Sequence, residues 1–186
     1  MQNEYNIVKS VRKLNHINRC ARFPLVRPTT VAEHSYHVTV LALFIAEDVA
    51  QGWLPELKFE KVLRRALLHD AEEALLSDIP HDVKKYLGNT DDALRGMVEK
   101  EFKGAPSWFI TAVLEPCDQS VEHHIAKLAD HLELAMYCID EHNMGNRNLR
   151  AMLRKSLDLA ILHNNAARST VATTIIEECE LCLLNL

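Results

Sequence analysis

Residues 57–76 read LKFEKVLRRALLHDAEEALL, and this stretch decides the fold class. Val62 and Ala66 are four residues apart and are followed by further apolar residues at helical spacing, whereas Lys61 and Arg65 occupy polar positions. Apolar residues that recur every three or four positions form one face of an amphipathic helix. The spacing therefore predicts one helix over the whole stretch.

The rest of the chain has the composition of a helical protein. It has 186 residues, of which 48% are hydrophobic and 25% charged, and its five glycines and six prolines leave little room for many tight turns. A chain of this length is compatible with one core, and it contains no internal repeat or linker. We therefore predict an all-α fold in which residues 1–186 form a single domain.

Further helices are predicted on both sides of this stretch. Thr30 and Glu33 have the spacing of a capping box, which predicts that a buried helix begins there and ends near residues 52–55. The other predicted helices cover residues 7–17, 83–86, 93–102, 121–139 and, with a break near 163–165, the tail 148–186.

Charge and cysteine content limit the partners and the compartment. The net charge is -5 and no basic run is present, so a nucleic-acid partner is not expected. The five cysteines are scattered, which favours a reducing compartment. Neither an apolar leader nor a membrane-spanning run is found, so we expect a cytoplasmic protein that has no membrane partner.

The chemistry centres on His69 and Asp70, which follow an apolar helical run. An unpaired charge is costly in such a place, and a divalent cation would compensate it. Histidine and carboxylate ligands suit several transition metals, and His34 and Asp130 would complete the set if their helices converge. The alternative is a capped helix end, with Asp130 in a buried ion pair.

Several segments in the same order carry a resemblance to a known family. These segments are Ile17-Asn18-Arg19, Val31-Ala32-Glu33-His34-Ser35, Leu67-Leu68-His69-Asp70-Ala71-Glu72-Glu73, Asp78-Ile79-Pro80 with Val83-Lys84, and Leu128-Ala129-Asp130. The chain resembles the HD-domain phosphohydrolases, and among them the bacterial 5′-deoxynucleotidases and the short virus-encoded deoxynucleoside triphosphohydrolases.

The resemblance implies a fold, a cofactor and an assembly. It implies a helical bundle in which a metal site lies between core helices. One divalent ion, Co²⁺, Mn²⁺ or Zn²⁺, would be bound there by His34, His69, Asp70 and Asp130. It also implies a homo-oligomer.

The resemblance further assigns two catalytic carboxylates. Glu73 would act as the acid/base or water-orienting group, and its spacing from His69 and Asp70 would place it on the same helix face. Asp78 would lie close to the sugar and the leaving oxygen. The alternatives are a solvated helix carboxylate and an aspartate that caps a turn.

Substrate contacts are predicted on both sides of the metal ligands. Arg19 is the candidate phosphate clamp because a guanidinium matches phosphate oxygens with a planar fork of donors, and Lys84 is a second candidate. The base would lie near Pro80. Cys20 occupies a position where the bacterial nucleotidases have tryptophan, so it is predicted to change the shape of the substrate pocket.

These residues together predict hydrolysis of a 2′-deoxynucleotide at the link between the 5′-oxygen and the α-phosphorus. The leading hypothesis is a 5′-deoxynucleotidase that acts on a small-molecule monophosphate. One alternative is a dATP or other dNTP triphosphohydrolase that releases tripolyphosphate. Another is a non-catalytic module that binds nucleotides, and an enzyme of cyclic or alarmone nucleotides is the least favoured.

Overall fold

The computed structural model describes residues 2–77, 90–114 and 118–185. The α-helices in these ranges are α1 (Gln2–Val11), α2 (Val31–Gly52), α3 (Phe59–Leu68), α4 (Glu73–Leu76), α5 (Thr90–Glu101), α6 (Ser107–Leu114), α7 (Val121–Asn143), α8 (Arg150–Ala167) and α9 (Thr170–Leu184). Two short 3₁₀ helices cover Arg12–His16 and Arg147–Leu149. The described ranges contain no β-strand beyond an isolated bridge between Asn18 and Thr30. The predicted all-α fold is confirmed.

Helices α2 and α7 form the centre of the bundle. Helix α7 packs against α8, α2 and α3, and α2 also packs against α3. Val38, Ile45, Ile125 and Leu132 are fully buried where these helices meet. Burial of such aliphatic side chains is the main favourable term in folding, and it fixes the positions of polar side chains on the same helices.

The predicted start of α2 is confirmed. The Thr30 hydroxyl accepts a hydrogen bond from the Glu33 amide at 3.2 Å, and the Glu33 carboxylate accepts one from the Thr30 amide at 2.8 Å. The Arg19 amide donates to the Thr29 carbonyl at 2.9 Å, and the Val31 amide donates to the Ile17 carbonyl at 2.9 Å. The loop that carries Arg19 is thereby tied to the start of α2.

The single helix predicted over residues 57–76 is wrong. Helix α3 ends at Leu68, and α4 begins only at Glu73. The intervening turn is tight: the Ala71 amide donates to the Leu68 carbonyl at 3.0 Å, and the Glu73 amide donates to the Asp70 carbonyl at 3.1 Å. These bonds span three residues, as in a 3₁₀ turn, instead of the four residues of an α-helix.

The break in the tail comes slightly later than residues 163–165. Asn164 remains inside α8, and the helix is terminated by Arg168, whose φ of 54° is left-handed. The Asn164 side chain accepts from the Ser169 amide at 3.0 Å, and Ser169 in turn caps α9. An asparagine near a helix end can therefore satisfy the backbone after the turn.

None of the described helices is both long enough and apolar enough to cross a membrane. The single domain over residues 1–186 stays a prediction.

Candidate metal centre

Three of the predicted ligands meet at one point between the central helices. His34 is the fourth residue of α2, His69 follows α3, and Asp130 lies in the middle of α7. The His34 Nε2 atom is 3.2 Å from both His69 Nε2 and Asp130 Oδ1, and His69 Nε2 is 3.7 Å from Asp130 Oδ1. In the part of the chain that is described, this is the one group of three or more histidine, cysteine or acidic ligand atoms close enough to share an ion.

The hydrogen bonds of the two histidines fit a metal at this point. The His34 Nδ1 atom contacts a carboxylate oxygen of Glu133, and the His69 Nδ1 atom lies 2.8 Å from the Ala66 carbonyl oxygen. Because an oxygen of either kind can only accept, each Nδ1 carries a hydrogen. In the neutral imidazoles both Nε2 atoms then present lone pairs toward each other. A cation between them would satisfy both lone pairs and the Asp130 carboxylate.

Glu133 is a functional candidate that the sequence prediction missed. Its side chain is buried, and it lies one helical turn after Asp130 on α7. A carboxylate that accepts from the far nitrogen of a metal-binding histidine orients the ring and raises its basicity. The signal available in the sequence was its three-residue spacing from Asp130, which places both carboxylates near one face.

Asp70 lies beside this group and also binds Arg19. The Asp70 Oδ2 atom is 3.1 Å from His69 Nε2 and 3.9 Å from His34 Nε2. The same oxygen accepts from the Arg19 guanidinium at 2.5 Å. The structure therefore brings the predicted phosphate clamp to the edge of the predicted ligand set.

The electrostatics of the group favour a cation. Burial alone would lower the pKa of His69, but the carboxylates of Asp70 and Asp130 raise it to about 9. Burial would raise the pKa of Asp130, yet the positive charges of Lys127 and His69 hold it well below its ordinary value. The protein therefore keeps this carboxylate ionised inside the fold, where a positive charge is strongly favoured.

Glu73 lies near Arg19, although no continuous helix connects it to His69. It is the first residue of α4, and its side chain is buried. Burial tends to lower the pKa of Arg19, and Asp70, Asp130 and then Glu73 outweigh that effect and raise it. The Glu73 carboxylate is thus within electrostatic range of the clamp.

Of the other predicted substrate contacts, Cys20 is the one that lies among the described residues. The Cys20 backbone has a left-handed φ of 54°, and its Sγ atom is 3.8 Å from the Met152 Sδ atom on α8. Whether Cys20 shapes the substrate pocket stays a prediction. Asp78, Pro80 and Lys84 lie outside the described residues.

A second buried glutamate, also missed, holds the loop between α1 and α2. Glu141 is fully buried on α7, and its carboxylate accepts from the Val26 and Arg27 amides at 2.8 and 2.6 Å. The Asn146 side chain donates to it at 2.6 Å. This carboxylate anchors to α7 the same loop that carries Arg19.

Solved structures with this arrangement of helices define the class. An HD-domain phosphohydrolase from Listeria innocua superposes with a TM-score of 0.75 over 96% of this chain and 88% of its own, at 21% identity. The HD phosphohydrolase DatZ of cyanophage S-2L, solved with dA and one catalytic Zn²⁺ ion, gives a TM-score of 0.59 over 96% of each chain, at 18% identity. The fold of this chain is that of the HD-domain phosphohydrolases.

The sequence identifies the branch within that class. Residues 6–174 match the family described as 5′-deoxynucleotidase YfbR-like. The 5′-deoxynucleotidase YfbR of Salmonella typhi is 28% identical over 158 residues, which cover 79% of this chain and 79% of that protein. This chain belongs to the YfbR-like 5′-deoxynucleotidase family.

Proposed function

We propose that this protein is a metal-dependent 5′-deoxynucleotidase that hydrolyses a deoxynucleoside monophosphate to a deoxynucleoside and phosphate. The observation that carries the proposal is the convergence of His34 Nε2, His69 Nε2 and Asp130 Oδ1, with both Nδ1 atoms engaged by acceptors. Membership of the family supplies the substrate class.

In this proposal His34, His69, Asp70 and Asp130 hold one divalent ion. Such an ion, when bound, polarises a phosphate oxygen and lowers the pKa of a water molecule. Zn²⁺ is supported by the cyanophage protein of the same fold, and Mn²⁺ and Co²⁺ suit the same mixed donors.

Arg19 and Glu73 carry the remaining described roles. Arg19 binds the phosphate, since its guanidinium already lies 2.5 Å from the carboxylate of a proposed ligand and offers further donors in a planar fork. Glu73 orients the attacking water and accepts its proton, a role that its buried position near Arg19 supports. We retain Asp78 beside the leaving 5′-oxygen, Lys84 at the phosphate, and Cys20 and Pro80 at the sugar and base as proposals from the sequence.

The assembly and the compartment are also part of the proposal. Family resemblance favours a homo-oligomer, and exposed apolar side chains such as Phe44, Leu162 and Leu184 offer surface for one. The scattered cysteines favour the reducing cytoplasm.

The direct test is product analysis with dAMP, dATP and AMP after the metal has been removed and Mn²⁺, Co²⁺ or Zn²⁺ has been added back. We expect orthophosphate from dAMP and no product from AMP. Tripolyphosphate from dATP, with dAMP untouched, would instead identify a triphosphohydrolase. The absence of any metal-dependent product would overturn the catalytic proposal and favour a nucleotide-binding module.

Two variants of helix α7 make this test specific. Asp130→Asn removes the proposed ligand charge and should reduce turnover to the level of the buffer blank. Asp140→Asn makes the same chemical change at an exposed position of the same helix and should retain wild-type turnover. Equal activity of the two variants would contradict the proposed ligand set.

A further inference from the structure

A second group of histidines lies between helices α7 and α8. The ring of His163 on α8 is surrounded by three imidazoles of α7, with ring centroids 5.2 Å from His124, 5.5 Å from His131 and 6.1 Å from His123. We call these four residues the imidazole cluster. None of them belongs to the candidate metal centre.

Two of these imidazoles point their nitrogens at each other. The Nδ1 atoms of His124 and His163 are 3.0 Å apart, and His131 stacks on His163 at an interplanar angle of 26°. Bonds of about 2.1 Å that meet at a right angle separate two nitrogen ligands by about 3.0 Å. The pair thus already has the spacing of two adjacent ligands of a square-planar or octahedral ion.

The surroundings keep the His163 ring neutral at ordinary pH. Burial and then the nearby imidazoles of His131, His124 and His123 and the Lys127 ammonium together lower the pKa of His163 to about 4. A neutral imidazole has a lone pair for a metal, whereas a protonated one has none. His163 therefore does not have to release a bound proton before it binds an ion.

We propose that the imidazole cluster is a second metal site, which binds Ni²⁺ or Cu²⁺ through the Nδ1 atoms of His124 and His163. These ions favour nitrogen ligands in square-planar or tetragonal geometry, and water molecules would complete the coordination. The hydrogen now shared between the two Nδ1 atoms moves to an Nε2 atom, so the exchange is a change of tautomer without net loss of a proton.

The cluster differs from the candidate metal centre in the charge that it offers. The two imidazole ligands bring no negative charge, and Lys127 adds a positive charge nearby. Ion binding is therefore expected to be weaker than at the centre that includes Asp70 and Asp130. The weaker affinity allows the two sites to be titrated separately.

The test is a Ni²⁺ titration of the full chain, followed by calorimetry and by metal analysis after gel filtration. The wild type should bind one equivalent tightly and a second more weakly. His163→Gln and His124→Gln should each lose the weaker equivalent and keep the tight one. Asp130→Asn should show the reverse loss, and His16→Gln, a change of an exposed histidine, should keep both.

A spectroscopic readout separates metal ligation from a structural role of the rings. The paramagnetic resonance spectrum of Cu²⁺ bound at the weaker site should show splitting from two nitrogens, and this component should be absent from the spectrum of His163→Gln. Circular dichroism confirms that each variant is folded. Because both proposed ligands are needed, His124→Gln and His163→Gln should lose the same weaker equivalent. Weak-site stoichiometry that is unchanged in both variants would overturn the proposal, as would wild-type protein that binds only one equivalent.

Discussion

Helix α7 contributes to two groups of histidines that differ in their neighbours. At the candidate metal centre the carboxylates of Asp70 and Asp130 raise the pKa of His69 to about 9. In the imidazole cluster, burial and then the neighbouring imidazoles and the Lys127 ammonium lower the pKa of His163 to about 4. The same side chain thus holds a proton strongly in one place and weakly in the other, because the nearby charges differ in sign.

The contrast follows from the angular positions of residues on one helix. His124 and His131 are seven residues apart, close to two full turns, so both face α8. Asp130 and Glu133 are three residues apart and contact His34 of α2. A single helix therefore presents carboxylates to one neighbour and imidazoles to another, and only the first face carries the charge that a divalent ion neutralises.

The largest of these effects is expected when His34 loses the carboxylate that orients its ring. Glu133→Gln replaces the acceptor at His34 Nδ1 with a neutral amide, which weakens the orientation of the ring. Loss of such a partner typically costs about 10- to 100-fold in metal affinity or activity. A chelator-competition assay with Zn²⁺ would measure the change.

The matched control for this change is Glu177→Gln, which alters an exposed glutamate on α9. The control should keep wild-type affinity. If Glu133→Gln also kept wild-type metal affinity, Glu133 would not support metal binding. The carboxylate face of α7 would then differ less from its imidazole face than we infer.

A second prediction concerns the other buried carboxylate of α7. Glu141→Gln leaves one oxygen where two now accept from the Val26 amide, the Arg27 amide and the Asn146 side chain. We expect the free energy of unfolding to fall by about 1.5–3 kcal/mol, the range for hydrogen bonds to charged groups. Urea denaturation of both proteins at neutral pH measures this difference.

The pH dependence of that loss has a definite sign. Burial tends to raise the pKa of Glu141, but the bonds from Asn146, Val26 and Arg27 lower it below 4.5. A lowered pKa in the folded state stabilises the protein above the unfolded-state value of about 4.5, and that contribution disappears as the pH falls further. The difference between wild type and Glu141→Gln should therefore shrink below about pH 4.5. A difference that stays constant into the acid range would show that Glu141 acts through packing alone.

The sequence predicted those features of this arrangement that depend on local spacing. The capping pattern of Thr30 and Glu33 predicted the start of α2, and the helical pattern after residue 121 predicted α7. These two predicted helices, together with the resemblance, were enough to predict that His34 and Asp130 lie close together. The contact of Arg19 with Asp70 places the predicted phosphate clamp beside a predicted ligand.

Other features depended on contacts that no local pattern contains. The helix break after Leu68 is accompanied by a side-chain bond from His69 to the Ala66 carbonyl, and the periodicity of residues 57–76 continues through it. Glu133 and Glu141 have the same local pattern as a solvated glutamate, and only the packing of α2 and of residues 24–30 buries them. The imidazole cluster required the register between α7 and α8.

The smallest effect is expected at Asp118, which brings a carboxylate to the imidazole side of the molecule. Its oxygens accept from the Arg65 guanidinium at 2.7 and 3.0 Å and from Lys61 at 3.2 Å, and its charge opposes the lowering of the His123 pKa. Asp118→Asn should lower the free energy of unfolding by only about 1 kcal/mol, because the Asp118 side chain is 39% exposed and solvent screens the pair.

The pH dependence of this contribution also has a definite sign. The bonds from Arg65 and then from Ser120 and Lys61 outweigh burial and hold the pKa of Asp118 below its ordinary 3.8. This contribution is therefore present above about pH 4 and is lost as the pH falls. Urea denaturation at neutral and acid pH, with Glu60→Gln at the exposed pair with Arg64 as the control, measures both the size and the sign. A loss as large as that of Glu141→Gln would show that this partly exposed carboxylate counts as much as a buried one, and the contrast between the two sides of α7 would then fail.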